Sequence, residues 1–319
     1  MKDNYNEVPI KDDYIPKHAS NYITNQCKIV RDTSNINKSG KKVIQVKKKR
    51  RRVKKWVWSF LIITFLLIFG ISIIILLSWN KDNSNTDKII EEINKDVVIA
   101  EKEDDDSTET VGDANEEETS DYWYYIKFPL IDVDISKLKE KNTDTVGWIN
   151  VNNTNINYPY VQYTDNDYYL SHSFDKSYNE AGWVFMDYRN NSDLNNKNTI
   201  IYAHSRLDKT MFGSLSKVFK EDWYANKDNH IIRIVTEGES SLWQIFSVYK
   251  IEVESYYITT DFRSDEEYNK FLNTVKDRSI YNFNTNLTSE DKILTLSTCY
   301  SDNVRTVVHA KLIKKSTNN

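Results

Sequence analysis

Glycine and cysteine are scarce in this chain: its 319 residues include only 7 glycines and 2 cysteines. The cysteines, Cys27 and Cys299, lie on opposite sides of a long apolar segment, so we expect no disulfide within a correctly inserted chain. The sequence contains no glycine-rich phosphate loop and no Cys, His and carboxylate cluster with metal-ligand spacing. It therefore implies neither a metal nor a cofactor.

The net charge of −4 hides three regions of different charge. Residues 1–55 contain 16 Lys and Arg against 5 Asp and Glu, whereas residues 80–121 contain 4 against 16. Residues 122–319 are nearly balanced, with 23 against 26, and only they have enough Trp, Tyr and Phe to bury a core. We therefore predict a basic tail, an acidic linker and a single β-rich domain of large side chains.

An uncharged apolar segment of 24 residues, 56–79, separates the basic and acidic regions. As a helix it would rise about 36 Å, enough to cross a hydrocarbon core of about 30 Å. Trp56, Trp58 and Trp79 stand near its ends, where interfacial aromatic residues belong. The segment starts too far into the chain and is too long for a cleaved signal peptide, so we predict one transmembrane helix.

The orientation of this helix follows from residues 41–55, which carry ten positive charges directly before it. Such a run can bind nucleic acid, but beside a membrane span the positive-inside rule is the simpler explanation. We therefore expect a cytoplasmic tail at 1–55, lipid contact through 41–79, no nucleic-acid partner and everything after Trp79 outside the cell. Residues 1–40 are expected to be disordered, and the acidic extracellular linker 80–121 to be a solvated tether.

The remaining residues, 122–319, alternate in the manner of many short strands with few helices, which predicts a closed or sandwich-like β architecture. A short helix is predicted at 131–142, with Asp134 or Ser136 as its cap. A second helix is predicted at 264–278, with a capping box made by Ser264 and Glu267. The predicted strands are 147–151, 156–162, 182–188, 199–204, 231–236, 243–253, 292–299 and 305–313.

One thiol, Cys299, is expected outside the membrane, and it ends a predicted strand. His204 ends another apolar strand, and Arg305 opens the strand that follows Cys299 across a short turn. A nucleophile, a proton shuttle and an oxyanion donor are the three functions that covalent acyl transfer needs, and Cys, His and Arg can supply them. The alternative is a buried structural cysteine with a surface histidine and an exposed arginine.

Three further histidines are predicted to lie outside the membrane. His309 sits in the middle of a strand, so we expect it to be packed rather than catalytic. His172 and His230 lie in polar, loop-like sequence and are expected to be solvated.

Two segments carry a resemblance to a known family. Thr295-Leu-Ser-Thr-Cys299, followed by the strand that begins at Arg305, resembles the Cys and Arg signature of sortases. Asn198-Thr-Ile-Ile-Tyr-Ala-His204 resembles their His strand, and the order and spacing of further motifs resemble class B sortases across residues 130–319. Those further motifs are Val146-Gly-Trp-Ile149, Tyr158-Pro-Tyr-Val-Gln162, Asp165-Asn-Asp-Tyr-Tyr-Leu170 and Met211-Phe-Gly-Ser-Leu215.

The resemblance implies an eight-stranded sortase β-barrel with peripheral helices and a catalytic domain at 122–319. It implies a cysteine transpeptidase, an endopeptidase of the hydrolase class, with His204, Cys299 and Arg305 as catalytic residues. Such an enzyme cleaves the sorting motif of surface-protein precursors at a Thr carbonyl through a thioacyl intermediate. It then joins the product to a peptidoglycan amine, which anchors the protein to a Gram-positive cell wall.

Three alternatives stay open. A pilin-polymerising sortase would differ only in using a pilin lysine as the acceptor amine. A hydrolytic cysteine protease would share the nucleophile, although papain-like enzymes place it at a helix start. A non-enzymatic adhesion module would carry an unreactive, buried Cys299.

Overall fold

The computed structural model describes residues 27–29, 46–48, 54–112, 121–301 and 303–318. It divides into two units, Met1–Ile74 and Ile75–Asn319. In the first unit, strands β1 (Cys27–Ile29) and β2 (Val46–Lys48) pair antiparallel. Most of the segment expected to be disordered, 1–40, lies outside the described residues, as does much of the basic tail.

Helix α1, Lys55–Asp96, begins in the first unit and ends in the second. An 18-residue window within it has a mean hydropathy of 3.2, and none of that window is buried. Among the described residues this helix is long and apolar enough to cross a membrane, and it contains the predicted span 56–79. It also continues well past Trp79, where the acidic linker was expected to begin.

The segment after Trp79 is more ordered than a solvated tether. Helix α1 buries Thr86 and Ile93, and two short strands follow it, β3 (Ala100–Lys102) and β4 (Thr108–Thr110). The acidic residues here find cations on the barrel: the buried Lys314 Nζ lies 2.9 Å from Asp104 Oδ1. Such ion pairs offset the mutual repulsion of the acidic residues. The described part of the linker can therefore pack against the barrel despite its charge. Residues 113–120 of the linker lie outside the described residues.

Eight strands of the second unit form a closed barrel. The barrel strands are β6 Thr145–Val151, β7 Asn157–Gln162, β8 Phe185–Met186, β9 Asn198–His204, β10 Ile231–Thr236, β11 Glu239–Glu252, β12 Ile293–Ser301 and β13 Val304–Thr317. Their order is β11-β10-β6-β7-β8-β9-β12-β13, and pairing of β13 with β11 closes the circle, so the predicted eight-stranded barrel is confirmed. Pairs β7–β8 and β9–β12 are parallel, the others are antiparallel, and β4 adds a ninth strand beside β13. Outside the barrel, β5 (Leu130–Asp132) pairs with β3.

The helices are peripheral and short apart from α1. Asp134 caps the predicted first helix by accepting hydrogen bonds from the Ser136 and Lys137 amides, and Ser264 caps the predicted second helix. The α-helices are α2 Tyr122–Tyr125, α3 Ile135–Lys141, α4 Glu221–Ala225 and α5 Asp265–Asp277. Short 3-10 helices occupy Tyr168–Leu170, Gly213–Phe219, Lys227–His230 and Tyr256–Ile258.

Alternation along the strands decides which residues enter the barrel. Ile201, Leu296 and Val308 lie in the barrel core, while the residues beside them face outward. On the outer face, Phe271 of α5 packs in a second cluster with Val307 of β13. Helix α5 therefore covers part of the outer surface of β12 and β13 and leaves the strand ends beyond it for a site.

Candidate active site

The strand register brings the three predicted site residues into one row. Cys299 on β12 is the direct partner of His204 on the parallel strand β9 and of Arg305 on the antiparallel strand β13. Adjacent strands lie about 4.8 Å apart, so the backbones of the three residues are immediate neighbours. A bulge follows between Cys299 and Ser301, which ends the regular pairing next to the row.

His204 lies on the outer face of the barrel. On β9, Ala203 is buried in the core, so His204 faces outward, as does Tyr202 two positions before it. On β12, Ser297 also faces outward, and its hydroxyl lies 3.0 Å from the Tyr257 hydroxyl. His204 and Ser297 therefore lie outside the packed interior of the barrel, with Ser297 covered by Tyr257.

The imidazole of His204 is half-buried and held by a backbone carbonyl. Its Nε2 lies 2.7 Å from the carbonyl oxygen of Leu170, in the loop between β7 and β8. Because a carbonyl oxygen only accepts, Nε2 must carry the proton of this hydrogen bond. In the neutral ring, Nδ1 then carries the free lone pair and is the nitrogen that can accept a proton; the charged ring can return that proton from Nδ1.

Arg305 lies at the other end of the row. It is half-buried and pairs across its second neighbouring strand, β11, with Ile251. Its guanidinium is a cation that presents several donors in one plane. A cation with this geometry suits a carbonyl oxygen that becomes negative during acyl transfer.

Sequence reasoning missed a buried carboxylate beside this site. Asp187 is fully buried and accepts hydrogen bonds from Arg189 (2.7 and 2.8 Å), the Tyr202 hydroxyl (2.8 Å) and the Asn166 amide (3.1 Å). Burial alone would raise the pKa of Asp187, but the hydrogen bonds from Arg189 and Tyr202 outweigh it and lower that pKa. The ionised Asp187 therefore holds the hydroxyl of Tyr202, two positions before His204. In the sequence, only the polar residues next to Asp187 indicated such a site.

Two of the other three histidines after the predicted membrane span, His309 and His230, are buried. His309 is buried as predicted, with Nδ1 2.8 Å from the Thr295 hydroxyl and Nε2 2.8 Å from the Tyr249 hydroxyl, and burial lowers its pKa to about 3. The expectation of a solvated His230 is wrong, because its Nδ1 lies 2.7 Å from the Tyr125 hydroxyl and burial lowers its pKa to about 4. Across the described parts of the chain, no group of three or more His, Cys, Asp or Glu side chains is arranged to hold a metal ion.

Residues 149–313, more than half of the chain, match the family model of the sortase domain. Sortase B of Staphylococcus aureus is 41% identical over 136 residues, which cover 41% of this chain and 55% of that protein. Sortase B of Listeria monocytogenes is 37% identical over 139 residues, covering 41% and 54%. The matched region thus spans about half the length of these curated relatives.

Solved structures agree with the sequence comparison. A Bacillus anthracis protein similar to sortase B superposes with a TM-score of 0.53 and 44% identity, covering 56% of this chain and 82% of that one. The Staphylococcus aureus sortase B–substrate complex gives 0.53 and 39%, covering 56% and 84%. The chain therefore belongs to the sortase family. Its resemblance to class B members is confirmed, since each of these relatives is a sortase B or similar to one.

Proposed function

We propose that this chain is a single-pass, membrane-anchored cysteine transpeptidase that attaches surface proteins to the cell wall. The observation that carries the proposal is the register of three adjacent strands, which aligns His204, Cys299 and Arg305 in one row. The three side-chain types match a nucleophile, a proton shuttle and an oxyanion donor. Membership of the sortase family supports the same assignment.

The proposed reaction has two balanced steps. The thiolate of Cys299 attacks the Thr carbonyl carbon of a sorting motif, the peptide C–N bond breaks, and protonated His204 gives its proton to the leaving amine. An acceptor amine then attacks the thioester, the C–S bond breaks, and the thiolate returns while His204 regains a proton. Arg305 holds the carbonyl oxygen during both attacks.

The proposed location follows from the charges around α1. Ten positive charges at 41–55 would keep the N-terminus cytoplasmic and hold anionic lipid, so the domain 122–319 would lie outside the cell. There it would meet its proposed partners, surface-protein precursors that bear a sorting motif and a peptidoglycan amine. A sortase B has been solved in complex with triglycine, which makes glycine peptides the first acceptor to test here.

The test incubates the full-length protein with sorting-motif peptides, with and without an added amine, and follows the products by mass spectrometry. We expect cleavage with the amine joined to the Thr end, and complete loss of both products in Cys299→Ala. Cleavage without amine incorporation would favour the hydrolytic protease. Preference for a lysine side chain would favour the pilin-polymerising sortase, and ligation that survives in Cys299→Ala would overturn the proposal.

A further inference from the structure

We propose that Gly182 is a positioning residue for His204, because it leaves the space in which the Leu170 carbonyl fixes the tautomer of that imidazole. The inference rests on the proposed function, in which His204 transfers the proton. Gly182 lies in the loop before β8 and is remote from His204 in sequence. Because it has no side chain, it would act through the space that it leaves beside the Leu170 carbonyl and the imidazole.

The backbone around Gly182 is closely packed against the group that holds His204. A Cβ atom at this position would lie 2.5 Å from the Tyr169 carbonyl oxygen, 2.8 Å from the Leu170 carbonyl oxygen and 3.1 Å from His204 Cδ2. Gly182 also has φ of +59°, in the left-handed region that L side chains rarely adopt. Any side chain here must therefore displace the loop backbone that carries the Tyr169 and Leu170 carbonyls, or the imidazole, and so disturb the bond between Leu170 and His204.

Moving that carbonyl changes which nitrogen of His204 carries the proton. The 2.7 Å bond from Nε2 to Leu170 holds a proton on Nε2, whether the ring is neutral or charged. All proton exchange is then confined to Nδ1. Without the carbonyl, the two neutral tautomers compete, and the ring can rotate into orientations that do not serve the reaction.

Further hydrogen bonds restrain the loop that contains Gly182. The Gly182 amide donates to the Asn179 carbonyl at 2.9 Å and closes a tight turn. The buried Asn179 side chain donates to the Thr86 hydroxyl (3.0 Å) and the Asp82 carbonyl (3.2 Å) of helix α1. The Trp183 amide donates to the Tyr169 carbonyl at 2.9 Å. These bonds leave the turn little freedom to make room for a side chain, so a Cβ at Gly182 must displace the Leu170 carbonyl or the imidazole that it binds.

The test compares Gly182→Ala with wild type as the full-length protein in detergent micelles. Steady-state ligation gives kcat and KM, and ¹⁵N spectra of histidine-labelled protein report the tautomer of His204. We expect kcat to fall about 100-fold with KM nearly unchanged, since displacement of a reacting group by about 1 Å has that effect. The matched control is Gly238→Ala, where an added Cβ has no heavy atom within 4 Å and wild-type values are expected.

The ¹⁵N spectrum reports the tautomer of His204, which would not change if Gly182 had only a structural role. Wild-type His204 should be the pure Nε2–H tautomer when neutral, and Gly182→Ala should give a mixture. A folded Gly182→Ala protein with wild-type kcat, or with the wild-type tautomer, would overturn the inference. If that variant does not fold, the wild-type spectrum decides, because an Nδ1–H form or a mixture there contradicts the inference. The tautomer is measured without substrate, so its outcome is separable from failure of the proposed ligation.

Discussion

The burial of His309 makes a quantitative prediction about how the free energy of unfolding depends on pH. Its ring is fully buried between the Thr295 and Tyr249 hydroxyls, and burial lowers its pKa from 6.5 to about 3. A lowered pKa means that the folded protein binds the proton less well than the unfolded chain. The stabilisation is therefore complete above pH 6.5 and is lost progressively as the pH falls towards 3.

The magnitude follows from the two pKa values. At pH 4.5, which is two units below the unfolded value, His309 should have lost about 3 kcal/mol of the free energy of unfolding. His230, whose pKa is lowered to about 4, should lose a similar amount over the same interval. Together these losses are a large fraction of the roughly 5–15 kcal/mol that typically stabilises a domain, so the protein should be markedly less stable at pH 4.5 than at pH 7.

The assay is denaturant unfolding of the full-length protein in micelles, followed by tryptophan fluorescence at pH 7 and pH 4.5. His309→Gln keeps a hydrogen-bonding side chain but has no titratable group, so its stability should fall by about 3 kcal/mol less than that of wild type. Gly238→Ala changes no ionisable group and should match the wild-type pH dependence. If wild type and His309→Gln lose equal stability between the two pH values, the burial argument is refuted.

Three further predictions concern the site and its surroundings. Arg305→Lys keeps the charge but loses the planar fork, so ligation kcat should fall at least about tenfold; unchanged kinetics would remove Arg305 from the site. Acylation measured by stopped-flow should be far more sensitive to His204→Ala than to His309→Ala, and the reverse order would remove His204 from the catalytic site. Asp187→Asn should lower the free energy of unfolding by about 2 kcal/mol, because Arg189 loses its buried anion; a change below about 0.5 kcal/mol would contradict that role.

The strands could be predicted from local alternation, whereas the number of barrel strands and the three site residues came from the resemblance to sortases, since β9 and β12 are far apart in the chain. Alternation identified most strands within a few residues, and a strand that ends at Cys299 before a short turn must place Arg305 beside it. The prediction at 182–188 was too long, since the structure has only Phe185–Met186 there. Gly182, with its left-handed backbone, precedes that strand, and the buried Asp187 follows it. An alternating pattern indicates neither the backbone conformation of Gly182 nor the burial of Asp187.

The remaining features depend on contacts between residues far apart in the chain. The acidic segment after α1 docks because Asp104 meets Lys314, 210 residues later. His230 is buried because Tyr125, 105 residues before it, supplies a hydroxyl to its ring. Local charge and polarity predicted that the acidic segment and His230 would both be solvated. In each case a partner far away in the sequence makes the prediction wrong.

The account depends most directly on a covalent bond between substrate and Cys299. Full-length protein incubated with a sorting-motif peptide and no acceptor amine should gain the mass of the acyl fragment. Digestion should place that mass on the peptide containing Cys299, and hydroxylamine should cleave the thioester and release the acyl fragment as a hydroxamate. An adduct on any other residue, or turnover with no adduct at Cys299 under trapping conditions, would contradict the account.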